Sequence, residues 1–570
     1  MAHAATALEG SLLGASCPAT TSTYKKGVAM FHQMRPLVFW PPFILLMLAV
    51  GASMIDLESF LDVTGGLNTA ILENVGWLFS LTSLAMVLTC LIVFLSPLGR
   101  TRIGGENARP MLSAWRWFSI TLCTTVAVGI MFWSTAEPLY HLHSPPASLD
   151  IAANSLDAAR FSLSTMFLHW SFTPYAIYTV PAVMFAIAHY NMGKPFSLGS
   201  LFTPILGDRL IGRPGRLLDA LALFALVCGM ASSLGTGVMT LAGGVDRFLG
   251  TGTGPLALGI VTLAIVAMFT ASAASGLQRG IAALSALNTR AFFVFMAFIF
   301  LFGPTRDILG YGVEASGAYV GQFLEKSLFT GALADDPWPK SWSVFYWANW
   351  MAWAPITALF LGRISRGYTV RQFMLINLVA PALFAIAYVS VTSGSMLHLD
   401  LAAGGTMQAL LQENGPGAMV YALLDELPLG GLSAAAFLAI AFLSYVTAAD
   451  SNTEAISQLC SNGSQAALAG DGDDDDAARR LPLKVLWGIT IGTVAWIMTS
   501  FVGVEGIKML SNLGGFPALL IVILATASLL RLVSLGTAGA GMERTPSRTY
   551  SEEAHARWQQ RRRLAESEQT

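Results

Sequence analysis

Residues 345–356 read FYWANWMAWAPI: three tryptophans and an asparagine ahead of a proline, in an apolar run with no charge before Arg363. Indole N–H groups and a primary amide are costly in a lipid-like setting unless they find partners. At about 100° per helical residue, Asn349, Trp353 and Trp350 share an arc of about 100°, and Trp347 lies about 60° further round. A helix here presents a wall of indoles edged by an amide. An interfacial aromatic belt accounts for Trp338 and Trp342, which precede the apolar core, but suits the deeper Trp350 and Trp353 less well. Indole faces inside a membrane attract cations, quaternary ammonium groups above all, at roughly 0.5–2 kcal/mol per ring. They do so without a fixed anion, which suits a zwitterion whose negative end a carboxylate would repel. A second aromatic group, HWSFTPYAIY at 169–178, adds Trp170, Tyr175 and Tyr178. Ordinary packing is the competing account of each tyrosine. His169 reads as a hydrogen-bonded interior histidine rather than a proton relay.

Two further stretches carry polar chemistry. In VAVGIMFWSTAEPLYH, residues 126–141, Gly129 permits close backbone approach or local unwinding, and Pro138 ends or kinks a helix. Glu137 is a functional candidate as an intramembrane carboxylate, and equally a salt link or cap near the outer end. A metal set of Glu137, His141 and His143 lacks a further His or Cys to complete it and is set aside. In LSYVTAADSNTEAISQ, residues 443–458, Thr447, Asp450, Ser451 and Glu454 lean to one side, as an ion path or an interhelical network would. The acidic run at 471–476 reads as a solvated loop: a calcium loop needs Glu at its twelfth position, and counting from Asp471 reaches Pro482.

The elements that hold these residues follow from composition. The chain has 570 residues, 54% hydrophobic and only 12% charged, where soluble domains carry roughly 25% charge. Most of it therefore belongs in lipid, and no basic domain points to nucleic acid. The five cysteines form no CxxC, so neither a disulfide framework nor a zinc site is expected. The first apolar run starts after Arg35, too late for a typical signal peptide. At about 20 apolar residues per span, twelve spans are expected: about 36–55, 75–96, 115–140, 163–190, 217–245, 255–274, 288–304, 342–362, 370–392, 430–456, 482–503 and 508–532. Residues 314–332 read as an amphipathic interfacial helix, 464–479 as a loop, and both tails (1–35 and 533–570) as polar and cytoplasmic. With twelve spans and the N-terminus inside, the inner loops carry 16 Lys and Arg against 6 outside, as the positive-inside rule requires.

With these residues in view the chain resembles the betaine/carnitine/choline transporters. The resemblance rests on FYWANWMAWAPITALFLGRISRGYTVRQF (345–373), TAEPLYHLHSPP (135–146), HWSFTPYAIY (169–178), FTPILGDR (202–209) and VTAADSNTEAISQL (446–459), in order, and runs from about residue 25 to 530. It implies an all-α leucine-transporter-like fold in a bacterial cytoplasmic membrane. Two extra helices at 36–98 would precede two inverted five-helix repeats at 112–304 and 341–532. It further implies a homotrimer, alternating access, and helix breaks near Gly129 and Pro355 at the substrate site. The family's aromatic box maps onto Trp170, Tyr178 and Trp350, with Tyr175 where an indole is common. Trp353 matches a ring lining the inner route, and Trp347 a signature position with a less direct role.

Two departures bear on function. The usual WAWW is WANW here, so Asn349 replaces an indole and favours a substrate with N–H donors or a sulfonate beside a betaine. The sodium site of relatives combines backbone carbonyls at Val126 and Gly129 with two hydroxyl residues. Thr447 matches the first, but Ala448 stands in place of the second. The fifth span has no Lys or Arg of the kind sodium-independent exchangers use. Its Ser232, Ser233 and Thr236 suit a second ion site. Sodium is therefore the expected coupling ion ahead of protons, which Asp219 and Asp450 could carry. The expectation is a transporter, not an enzyme, importing a small onium or zwitterionic solute without a cofactor. A taurine-like carrier and a weakly transporting osmosensor are the alternatives. The short basic cluster Arg557, Arg561, Arg562 and Arg563 is diluted by acidic residues and argues against the last.

Overall fold

The computed structural model describes residues 34–125, 129–274, 278–461 and 474–539. Among these the chain is almost wholly helical, with two isolated β-bridges and no strand. Each of the twelve expected apolar segments falls on a helix. The first two are α1 (Pro36–Ile55) and α2 (Leu57–Leu95). α3 (Ala114–Thr125) and α4 (Gly129–His143) share the third segment, α5 (Leu156–Trp170) and α6 (Phe172–Tyr190) the fourth. Then come α7 (Arg213–Leu249), α8 (Pro255–Ala274) and α9 (Gln278–Phe302), followed by α10 (Thr305–Gly321) and α11 (Phe323–Leu328). The later half holds α12 (Phe345–Arg363), α13 (Ala380–Ala402), α14 (Gly430–Leu459), α15 (Asp474–Phe501) and α16 (Val504–Gly539).

By length and composition, eight helices among the described residues can cross a membrane, or ten if each of two bent pairs is one span. The apolar part of α8 is short, Pro255–Ala271. α12 is diluted by its amide and indole N–H groups. The outward faces of α1, α2, α8 and α9 carry exposed Leu, Ile and Val, as lipid-facing surfaces do. Leu156–Tyr190 is the opposite case. Its apolar window is 94% buried, which places α5 and α6 in the protein interior rather than against lipid.

Three boundaries differ from expectation. α2 begins at Leu57, eighteen residues before the apolar segment at 75. At ~1.5 Å per residue its 39 residues run to about 58 Å, well beyond the ~30 Å a span needs. Asp56 caps it by accepting from the Ser59 amide at 3.1 Å. The helix expected at 314–332 starts at Thr305 instead, bent 110° from α9, because Pro304 cannot continue the α9 hydrogen-bond ladder. It buries Ile308, Ala315 and Tyr319 and exposes Val313 and Val320. The loop expected at 464–479 is already helical at Asp474; residues 462–473 lie outside the described segments.

The site is positioned by irregularities in otherwise regular helices. α3 and α4 meet at 56° across residues 126–128. α5 stops at Trp170, and α6 restarts after Ser171 (φ −111°, ψ −115°), whose hydroxyl returns to the Phe167 carbonyl at 2.5 Å. A π-helical turn at Lys340–Val344 leads into α12. α12 itself runs unbroken through Pro355, where the resemblance led one to expect unwinding. The missing N–H is tolerated there because α6, α7 and α16 enclose the helix.

Candidate functional site

α5, α6 and α12 bring the expected aromatic residues together. The ring centroids of Trp170 and Trp350 lie 5.2 Å apart at 88°, and those of Tyr178 and Trp350 6.0 Å apart at 89°. These are edge-to-face contacts. All three rings line one cavity. Gly129 lines it too: a Cβ there would stand 3.1 Å from Trp170 Cη2, so the glycine gives the indole room to seat. No residue with a charged side chain is among those lining this cavity.

Asn349 lines the same cavity with Ser232, Ser233 and Thr236. Its Oδ1 accepts from the Ser511 hydroxyl at 3.1 Å, and the Ser511 and Ser232 hydroxyls are 2.8 Å apart. This chain links α12, α16 and α7. Thr236 donates to the Ser233 carbonyl at 2.7 Å. The cavity thus combines aromatic rings with hydroxyl and amide groups.

Trp353 also faces the cavity, and it lines a second one with Phe269, Tyr445 and Ile491. A Cβ on Gly229 would lie 2.9 Å from Trp353 Nε1, so the indole edge lies against bare backbone. Trp353 is one of four residues that line both spaces. Ser233, Ala448 and Asn452 line both.

Not every expected residue reaches the cavity. Tyr175 and Trp347 are buried outside it, Trp347 edge-on to His169 with centroids 5.7 Å apart. Thr447 is buried and donates to the Leu443 carbonyl at 2.7 Å, whereas its neighbour Ala448 lines both cavities. Val126 lies outside the described residues. Sequence reasoning passed over Trp133, Phe345 and Asn452, which line the main cavity, and Ser511, which holds Asn349. Asn452 occurs one turn after Ala448 and donates to its carbonyl at 2.8 Å.

Behind the aromatic side lies Glu137, fully buried on α4. Its Oε1 accepts from His141 Nε2 at 3.0 Å and His169 Nδ1 at 2.7 Å. Its Oε2 accepts from Trp170 Nε1 at 3.0 Å and from the Tyr346 hydroxyl. Four donors on two oxygens is the inventory of an ionised carboxylate. His169 Nε2 meets Ser343 Oγ at 2.9 Å, and the His169 carbonyl accepts from Trp350 Nε1 at 3.1 Å. Both box indoles are therefore hydrogen-bonded into one network. His169 is the interior histidine the sequence suggested. His143 stands apart, paired with Asp400 at 2.5 Å. Glu137, His141 and His169 place three potential metal-ligand atoms within 4.8 Å of one another. The 2.7 and 3.0 Å separations are nevertheless those of hydrogen bonds. They are shorter than the roughly 3.3 Å between ligand atoms on a metal with ~2.0 Å bonds.

The carboxylates considered as proton carriers are ion-paired. Asp219 holds Arg35 at 2.5 Å, and Lys484 lies 3.3 Å from Asp450 and 2.6 Å from Glu454.

The comparisons with known proteins agree with this geometry. A family model described as betaine/carnitine/choline family transporter matches residues 37–537. Glycine betaine transporter 1 of Vibrio parahaemolyticus is 32% identical over 470 residues, covering 82% of this chain and 87% of that protein. Glycine betaine transporter OpuD of Bacillus subtilis is 28% identical over 87% of this chain and 94% of its own length. An ectoine/glycine betaine/proline transporter, EctP, of Corynebacterium glutamicum is 30% identical over 81% and 74%.

Proposed function

Starting from the betaine/carnitine/choline transporter family, to which this chain belongs and whose members are transporters rather than enzymes, we propose that it imports a small onium zwitterion of the betaine type. The observation that carries this reading is the cavity lined by Trp170, Tyr178 and Trp350 together with Asn349 and serines, with no charged side chain among the described lining residues. Rings at edge-to-face angles enclose a trimethylammonium group from several directions, at roughly 0.5–2 kcal/mol per ring. The hydroxyl and amide donors suit a carboxylate. Transport proceeds by alternating access between two inverted five-helix repeats, in a homotrimer of twelve-span protomers with both ends cytoplasmic. Trp353 is the inner door.

Sodium is the proposed coupling ion, bound by Thr447 with backbone at Val126 and Gly129, and with Ser232, Ser233 and Thr236 as a second site. The proton alternative is weakened because Asp219 and Asp450 are engaged by Arg35 and Lys484. Loss of a hydroxyl at Ala448 weakens the first sodium site without removing its other oxygens.

Asn349 favours one second reading: an osmolyte with N–H donors, such as those in the name of the Corynebacterium relative, or a sulfonate. Tryptophan fluorescence of the purified protein separates the readings. It would be titrated with glycine betaine, choline, carnitine, proline, ectoine and taurine, with and without sodium. Saturable quenching by glycine betaine that tightens in sodium is expected. Binding of taurine alone would overturn the onium reading, and binding indifferent to sodium would overturn the coupling.

A further inference from the structure

Glu137 touches no part of the cavity, yet it is one hydrogen bond from a box ring. We propose that Glu137 sets the charge preference and the orientation of the bound zwitterion from behind the box wall, acting through the Trp170 indole as a positioning residue. This rests on the onium reading of the cavity and adds to it the group that distinguishes a cation from a neutral isostere.

Three observations carry it. First, the wall of the cavity holds no charged side chain, so cation recognition in contact is left to ring faces. Second, the Glu137 carboxylate is fully buried and accepts the Trp170 N–H directly at 3.0 Å. An N–H held by an anion shifts electron density into the ring, and the ring face becomes a better partner for a cation. In surroundings of low dielectric the carboxylate's field also reaches the ligand poorly screened. Third, the two histidines leave that charge in place. Each directs one nitrogen at Oε1, and His169 has its other nitrogen at the Ser343 hydroxyl. The assignment that satisfies this network is a carboxylate between two neutral imidazoles.

The position matters as much as the charge. A carboxylate inside the cavity would repel the negative end of a zwitterion. Placed behind Trp170, it draws the cationic head to the aromatic side and turns the anionic end toward Asn349, Ser232 and Ser233. The Glu137 carboxylate therefore both selects the positive charge and fixes which way round the ligand lies.

The test separates charge from shape. Glycine betaine and 3,3-dimethylbutanoate differ only in the quaternary atom, nitrogen against carbon. Both would be titrated as competitors in full-length wild type, Glu137→Gln and Glu137→Ala. Glutamine keeps an acceptor for the Trp170 N–H but removes the charge, and the histidines can exchange tautomers to meet its amide. Glu137→Gln is expected to weaken betaine about tenfold while leaving dimethylbutanoate within about twofold, with the Vmax of betaine uptake largely kept. Equal loss for both ligands, or no loss for either, would overturn the proposal. Trp170→Phe supplies a control that keeps a ring and removes the N–H. In that background Glu137→Gln should change the betaine-to-isostere ratio far less, and an undiminished effect would overturn the route through the indole. Failure of wild type to bind betaine, or binding untouched by Trp350→Ala, would count instead against the onium reading itself.

Discussion

At the scale of single residues, the box and its support make different demands. Trp350→Ala removes one ring and the link to the His169 carbonyl. Betaine affinity should fall by about 2- to 30-fold, the range of one cation–π contact, and Trp350→Phe should recover part of it; fluorescence titration reads both. Gly129→Ala places a methyl group 3.1 Å from the Trp170 ring. It should weaken betaine several-fold at normal expression, because the ring must shift by a few tenths of an ångström. Trp350 and Asn349 were legible in the sequence because their types are costly in lipid and their spacing puts them on a shared face, whereas Trp170 and Tyr178 stood out as aromatic and were assigned to the box by the family resemblance. Ser511 and Phe345 were not: a lone serine or phenylalanine in an apolar run looks the same wherever it points. Glu137 stood out as an intramembrane carboxylate. Its role did not, since four partners from three helices meet only when α4, α5 and α12 pack.

At the scale of elements, the long apolar runs were legible and their ends were not. Residues 57–74 mix Glu58, Asp62 and Glu73 with apolar positions, so nothing in composition marks them as the first half of α2. The end of α5 at Trp170 was passed over although Pro174 marks it, having no N–H to give the carbonyl four residues back. α11 offers a test of packing outside the spans. Lys326 reaches α5, donating to Ser164 Oγ at 2.6 Å, Thr165 Oγ1 at 3.0 Å and the Phe161 carbonyl at 3.3 Å, with its ammonium 4.3 Å from the Phe161 ring. Burial pushes its pKa down to about 7; Arg160 adds to the shift and Glu325 opposes it. Between that value and the ordinary lysine range the unfolded chain binds the extra proton, so stability rises with pH across the window. Thermal unfolding in detergent between pH 6.5 and 9.5 should show Tm climbing in wild type and a smaller climb in Lys326→Met.

At the scale of the whole molecule, distant parts of the chain are fastened by a few buried charges. Arg35 donates to Asp219 and to the Leu459 carbonyl at 3.0 Å, and its own amide donates to the Cys460 carbonyl at 2.7 Å. Arg35→Ala leaves Asp219 buried without its cation, which costs about 3–5 kcal/mol where such pairs are broken. Detergent melting should drop markedly, and adding Asp219→Asn should restore part of the loss. Trp353→Ala removes a ring shared by the two cavities. Substrate analogues too bulky for the box alone should then compete for binding, and uptake assays should show reduced accumulation.

The Arg35 fastening has a consequence for how the protein is made. α1 leaves the ribosome first, but the carbonyl it must hold belongs to a residue 424 positions later. At roughly 5–20 residues per second, α1 waits roughly 20 to 85 s in the bilayer before that partner exists. Asp219 follows Arg35 by 184 positions and is made first, so the first helix docks in two stages. The Arg35 end of the bundle stays unfastened until α14 has been made.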